Sequence, residues 1–554
     1  MNPDIALVRT GGAEARDLPR AEKAGSQALG LQTLTSRRRI LHAAAASGTA
    51  GALLLAGCST APVGRGRAIG ADPFTLGVAS GYPTPEGIVL WTRLAPALQH
   101  ADVVMTAASV SVSWEMASDE AMRNVIASGN VDAVAASAHS VHVEVAGLSP
   151  ARWYWYRFSA LGHRSRTGRT RTLPHAQAAL PRLRLGIASC QNQEHGFYAA
   201  YRHLAADEPD LIVHVGDYIY EGSWGDLFRP LKLPEAQTLA QYRERHAICK
   251  RDPDLQNAHA MFPWMVVWDD HEVSNDYADA SPERITAPED FLARRADAYR
   301  AYYEHMPMPR RMAPAGSAMR IHTSVRIGEL ATLYLLDQRQ YRSPQACPRP
   351  GRAGGTAVIA AECAALQDPA RTLLGRAQEQ WLDQQFAGSS TRWNLVAQQT
   401  LMAPLMLPRS ANGPARVRTD GWDGYPVSRR RLLDSMNARR LRNPVVVGGD
   451  LHAFYAADLH RGQEAASAVI ATEFVGTSIT SQAADQGHYD RLRSANPHIH
   501  YANGTQRGYL RLTLTRERLQ ADLMGLDDVR RPDSGIARQA AFVVEAGRPG
   551  PQRG

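Results

Sequence analysis

Lysine-rich stripes and interleaved aromatic–basic segments are missing from this 554-residue chain, and so is any internal repeat. The first absence leaves nucleic-acid binding without a sequence basis. The second leaves none for a stacked-repeat architecture. Strong charge bias is absent too: residues 1–57 carry seven basic and four acidic side chains, +3 of the formal +8, leaving a thin excess of +5. A diffuse positive field of that kind helps draw in anionic substrates without forming a binding stripe. The alanine- and leucine-rich run 40–56 is short for a bilayer span. Cysteine is scarce, five in all, so the fold rests on its apolar cores, for which 44% hydrophobic residues in a chain this long are ample.

The leader is one of the two specific features that are present. Ser36-Arg37-Arg38-Arg39-Ile40-Leu41 precedes the apolar run, which ends at Leu55-Ala56-Gly57-Cys58. The paired arginines resemble a twin-arginine export signal, and Leu-Ala-Gly-Cys resembles a lipoprotein processing site. The expectation is a signal peptide over 1–57, use of the twin-arginine export machinery, a periplasmic or extracellular location, and a membrane anchor through lipid on Cys58. That route suits proteins that take up a metal before they cross the membrane.

An oxidising compartment permits disulfides. Cys347 and Cys363 bracket the segment PRPGRAGGTAVIAAE, where a bridge would add ~3 kcal/mol by chain entropy. Cys190 ends an apolar run and precedes Gln191-Asn192. It is either a buried structural thiol or a thiolate ligand, and the acids at neighbouring strand ends favour the ligand.

The overall class is α+β/α/β. Residues 58–72 read as a Gly/Pro/Ala linker. Residues 73–175, with FTLGVASGYPTPEGIVLWTRL, ASVSVSWEMA and SVHVEVAGLSPARWYWYRFSA, read as an N-terminal β-sandwich of fibronectin or immunoglobulin type. A layered α/β domain is expected over 180–530, with helices in HGFYAAYRHLAAD and at 292–306, and a hairpin at 509–526 closing the sheet. Residues 541–554, rich in Gly, Pro and Arg, read as a flexible tail.

The second specific feature lies in that α/β region. The apolar runs 211–215, 265–268 and 444–447 lead into GDYIYE, WDDHEV and GGDLHA, and two further runs end at Cys190 and at Asp337 with Arg339 close behind. Such runs read as buried strands, and ligands bind at the carboxyl ends of strands in α/β sheets. Asp217, Asp270, His271, Asp450 and His452 are thus expected along one sheet edge. Several carboxylates in one cleft repel one another unless protons or multivalent cations compensate. The oxygens suit a hard ion, whereas Cys190, Tyr220 and an imidazole suit a transition ion such as ferric iron.

With Ser189-Cys190-Gln191, Gly216-Asp217-Tyr218-Ile219-Tyr220-Glu221, Trp268-Asp269-Asp270-His271-Glu272 and Gly449-Asp450-Leu451-His452 in place, the chain resembles the PhoD-type alkaline phosphatases of the calcineurin-like metallophosphoesterase superfamily. The likeness spans nearly the whole mature chain and implies a layered αββα catalytic domain. It also implies ferric iron held by Cys190, Asp217, Tyr220 and His452, and calcium held by Asp217, Asp270 and Asp450, with other divalent metals able to fill the same oxygens. Asp270 and Asp450 stand where the wider superfamily has asparagine and histidine, which favours hard oxygen ligation. His271 would orient or protonate the leaving oxygen, or serve only as a hydrogen-bond partner. Arg339 would bind a phosphate oxygen or pair with Asp337.

The expected function is an exported, metal-dependent phosphoesterase of small-molecule phosphoesters, with in-line attack by a metal-bridging hydroxide or oxide. The alternatives are a phospholipase-D-like phosphodiesterase acting on phospholipid at the same site, and a surface-anchored binding protein that has lost a ligand.

Overall fold

The computed structural model describes residues 71–95, 107–284, 286–407, 414, 416–462 and 467–554. The arginine motif 36–41, Cys58 and the linker as far as residue 70 lie outside the described residues. No helix among the described residues is long and apolar enough to cross a membrane.

Two large sheets carry the site. The ten-stranded sheet runs in the order Arg548–Arg553, Ile536–Glu545, Arg518–Leu526, Gly508–Leu514, Leu183–Ala188, Leu211–His214, Pro263–Val266, Val78–Thr84, Gly87–Arg93 and Ser140–Ala146. The seven-stranded sheet runs Thr323–Ile327, Ala331–Leu335, Trp393–Ala397, Pro444–Gly448, Val469–Val475, Phe454–His460 and Ile499–Asn503. In the seven-stranded sheet alternate residues serve two cores. Leu333, Leu395, Val445 and Val447 join Leu185 and Ile187 of the other sheet, whereas Tyr334, Val396 and Val446 face Leu382, Phe386, Leu432 and Met436 of the helices Arg376–Ala387 and Pro426–Ala438. Burial on both faces is why these strands read as unbroken apolar runs.

Leu183–Ala188, Leu211–His214 and Pro263–Val266 pair in parallel, and so do Ala331–Leu335, Trp393–Ala397, Pro444–Gly448 and Val469–Val475. Each group therefore discharges its following loops at one end. The expected single edge is in fact two: Cys190, Asp217 and Asp270 follow strands of the ten-stranded sheet, and Arg339, Asp450 and His452 follow strands of the seven-stranded one.

The expected helix at 292–306 is Pro288–His305. Part of HGFYAAYRHLAAD forms Ala199–Ala206. Gly508–Leu514 and Arg518–Leu526 make the expected hairpin, but it does not close the sheet. Residues 541–554 are not a flexible tail. They complete Ile536–Glu545 and form Arg548–Arg553, because Ala540, Phe542 and Val544 alternate into the core. Pro549 and Pro551 are accommodated since their strand is the sheet's edge, where a missing N–H costs no ladder bond.

The N-terminal strands divide. Val125–Val134, Ser109–Ala117, Trp153–Ala160, His163–Arg164 and Gly168–Arg171 form a five-stranded sheet. Val78–Thr84, Gly87–Arg93 and Ser140–Ala146 extend the ten-stranded sheet, with Ser80 in parallel register with Pro263. Ile88, Leu90 and Val143 of the latter share a core with Val112, Tyr156 and Phe158 of the former.

Candidate metal centre

The ligand-bearing loops approach closely because glycines precede them. Gly216 has φ +119°, and a Cβ there would lie 2.5 Å from Asp269 Cβ. A Cβ on Gly449 would strike the Ser189 hydroxyl, so this glycine lets the loop of one sheet meet that of the other. Cys190, Asp217, Asp450 and His452 all sit at positive φ, 55–62°. Left-handed backbone at four non-glycine residues is a cost that tolerant packing must hold in place, and it gathers at functional sites.

Cys190, Asp217 and His452 each bring one donor atom within 4.8 Å of the other two, and Asp217, Asp270 and His271 do the same. All are buried, and Asp217 belongs to both groups. The Tyr220 hydroxyl donates to Asp217 Oδ2 at 2.9 Å, lies 3.2 Å from His452 Nε2, and accepts from Ser481 Oγ at 2.7 Å. His452 Nδ1 lies 2.6 Å from the Gln482 carbonyl, which can only accept. Nδ1 therefore carries the proton and Nε2 presents its lone pair to Asp217 and Cys190. Asp450 Oδ2 accepts from Thr400 Oγ1 at 2.7 Å.

Burial, followed by the charge of Asp217, raises the Cys190 thiol well above its usual range. Burial also raises Asp217, against His271 and with the help of Asp270. The Asp450 carboxyl is pushed up to about 6 by burial and by Asp270. Burial holds His452 well below 6.5. Protein groups alone thus drive the Cys190 thiol and the Asp217 and Asp450 carboxyls toward their neutral forms, whereas at Asp270 burial is outweighed by Arg339 and His271, which hold it below the usual carboxylate range. Asp217 Oδ1 and Asp270 Oδ1, both buried, have no hydrogen-bond partner among the described residues. A multivalent cation reverses this balance, and a buried thiol, imidazole, phenol and carboxylate oxygens form a donor set that fits a metal ion.

His271 Nδ1 lies 2.7 Å from Glu221 Oε2. Burial opposes the charged ring, but Glu221, Asp270 and Asp217 outweigh it and raise its pKa well above 6.5. Arg339 does not pair with the Asp337 side chain through its guanidinium; Asp337 Oδ1 accepts instead from the Arg339 backbone N–H. The guanidinium meets Asp269 at 2.5 Å, Asp420 at 3.0 Å and Asp270 at 3.6 Å. Asp276 supports Asp270 through its backbone N–H, 2.7 Å from Oδ2.

Glu221 and Glu272 lie within the motifs but have no role that the sequence alone reveals. Their signal was an acid beside each ligand, visible but ambiguous without partners. Thr400 stands in a Gln-Gln-Thr stretch at a strand end, where a hydroxyl reads as structural, and Ser481 and Gln482 carry no sequence signal of their own. His195 Nε2 and His203 Nε2 bond the backbone carbonyls of Trp224 and Ser534.

Two family models match the chain: "PhoD-like phosphatase" over residues 185–523 and "PhoD-like phosphatase, N-terminal domain" over 57–174. The chain belongs to the PhoD-like phosphatase family. The "Alkaline phosphatase D" of Bacillus subtilis (strain 168) is 42% identical over 489 residues, covering 86% of this chain and 82% of that one. A solved structure described as "Structure of PhoD" superposes with a TM-score of 0.82 at 40% identity, covering 88% of this chain and 92% of the other. In this PhoD-like phosphatase Cys190, Asp217, Asp270, His271 and His452 form two buried groups of donor atoms that share Asp217.

Proposed function

We propose that this PhoD-like phosphatase is an exported, metal-dependent alkaline phosphatase of phosphate monoesters, with phosphodiesters as further substrates of the same centre. Hydrolysis of phosphoric esters follows from the family. The observation that carries metal dependence is the sharing of Asp217 between two buried groups of donor atoms. Cys190, Asp217, Tyr220 and His452 would hold ferric iron, and Asp217, Asp270 and Asp450 would hold calcium. Bound there, the cations would supply Lewis-acidic polarisation of the phosphoryl group and activation of water.

The chain's own residues do the rest. Gln482 fixes the His452 tautomer, and Thr400 orients Asp450. Arg339 offsets the charge of Asp269, Asp270 and Asp420, with both Nε and Nη1 committed to carboxylates. His271, turned by Glu221, would give a proton to the leaving oxygen. Export through the twin-arginine route and lipid anchoring at Cys58 complete the reading, supported by the leader and by the Cys347–Cys363 disulfide, which suits an oxidising compartment.

The test is elemental analysis of the exported protein together with hydrolysis of a chromogenic phosphate monoester and diester before and after calcium removal. Iron plus calcium, with turnover lost on calcium removal and regained on its return, is the expected result, and the two rates rank the ester classes. Metal-free folded protein with undiminished turnover would overturn the metal centre.

A further inference from the structure

Between the two loops that bring Asp217 and Asp270 sits a carboxylate with no ligand role. Glu272, 1% exposed, accepts three backbone hydrogen bonds. Oε2 takes them from Asp217 N at 3.1 Å and Asp269 N at 2.9 Å, and Oε1 takes one from Tyr218 N at 2.7 Å. Asp217 and Tyr218 follow Leu211–His214, and Asp269 follows Pro263–Val266. These strands are parallel neighbours whose register ends at His214 and Val266, with a last bond from Val267 N to His214 O. Beyond that point the sheet ladder no longer sets the spacing of the two chains. Glu272 does, through both of its oxygens.

The chemistry of those bonds is demanding. An ionised carboxylate accepts on two oxygens, whereas an amide of the same shape accepts on one and turns an N–H toward the backbone N–H it should have satisfied. The consequence falls on the ligands, since Asp217 and Asp270 place oxygens within 4.8 Å of each other from these two loops. We infer that Glu272 is a positioning residue that clamps the two ligand loops together and so sets the Asp217–Asp270 separation on which a shared cation depends. The inference rests on the metal centre proposed above. Glu473 supplies a matched comparison. It is likewise buried and accepts from two backbone N–H groups, of Met402 and Ala403, but it links no pair of ligand loops.

The experiment titrates calcium by calorimetry into full-length protein depleted of calcium, as wild type, Glu272→Gln, Glu272→Asp and Glu473→Gln, with circular dichroism on each. Calcium binding should weaken on the order of 10-fold or more in Glu272→Gln, less in Glu272→Asp, which keeps the charge, and not at all in Glu473→Gln. Unchanged affinity in Glu272→Gln, or an equal loss in Glu473→Gln, overturns the clamp. Should Glu272→Gln fail to fold, Glu272→Asp decides: weakened binding supports the clamp and wild-type binding overturns it. A wild type that takes up no calcium sinks the metal centre itself, and the clamp with it, a result distinguishable because all four proteins then behave alike.

Discussion

His271 and Glu221 form a buried imidazole–carboxylate pair 2.7 Å apart through Nδ1 and Oε2. Glu221 Oε1 is held in turn by the Asn275 backbone N–H at 2.7 Å. The ring is therefore aimed by a side chain that is itself anchored. Glu221→Gln should lower kcat on the order of 10- to 100-fold for esters with poor leaving groups, and less for a nitrophenyl ester, whose leaving oxygen needs no proton. An equal loss across leaving groups would show that His271 does not donate the proton.

Arg339 faces three carboxylates from a position that is 2% exposed. Burial works against its charge, yet Asp269, Asp270 and Asp420 hold it firmly protonated. Removing one member of such a cluster leaves uncompensated buried charge. Arg339→Ala should cost ~3–5 kcal/mol in denaturant unfolding. A rise in KM for phosphate esters with unchanged stability would instead favour direct phosphate binding.

The Cys347–Cys363 disulfide closes a loop of 16 residues' separation. Within it, Gly355 N donates to Asp276 Oδ2 at 2.9 Å, and Asp276 in turn supports Asp270. The double variant Cys347→Ser/Cys363→Ser should lose about 3 kcal/mol of stability by chain entropy, read as a lower thermal midpoint. Identical midpoints with and without reductant in the wild type would contradict this.

Glu473 is fully buried, and burial outweighs the bonds from Met402 N and Ala403 N, pushing its carboxyl from 4.5 up to about 8. The folded protein thus keeps a proton that the unfolded chain releases near 4.5. Its contribution to stability is full below that value and falls as pH rises toward about 8, then levels off. Glu473→Gln, which cannot ionise, should flatten the fall across that window. A parallel pH profile in urea unfolding would rule the assignment out.

The strands and the candidate ligands are readable in the sequence because both signals are local. PVVV before Gly448-Gly449-Asp450 carries its burial in its composition, and a carboxylate at a strand end advertises chemistry whatever surrounds it. The C-terminal strands were missed because Arg548–Arg553 reads as a breaker-rich tail; only its edge position makes two prolines harmless. The partition of ligands between two sheets was equally hidden, since each strand looks alike in isolation.

Local chemistry along the chain was enough to point to the family, to the mixed α/β character and to the candidate residues of the site, because residue type and strand period are properties of short segments. Partnership belonged to the tertiary structure. Which carboxylate neutralises Arg339, which carbonyl sets the His452 tautomer and which acid ties the loops of Asp217 and Asp269 depend on contacts between residues 30 to 81 positions apart. Hydrogen bonds act over about 3 Å, so only the folded chain brings such groups within reach of one another.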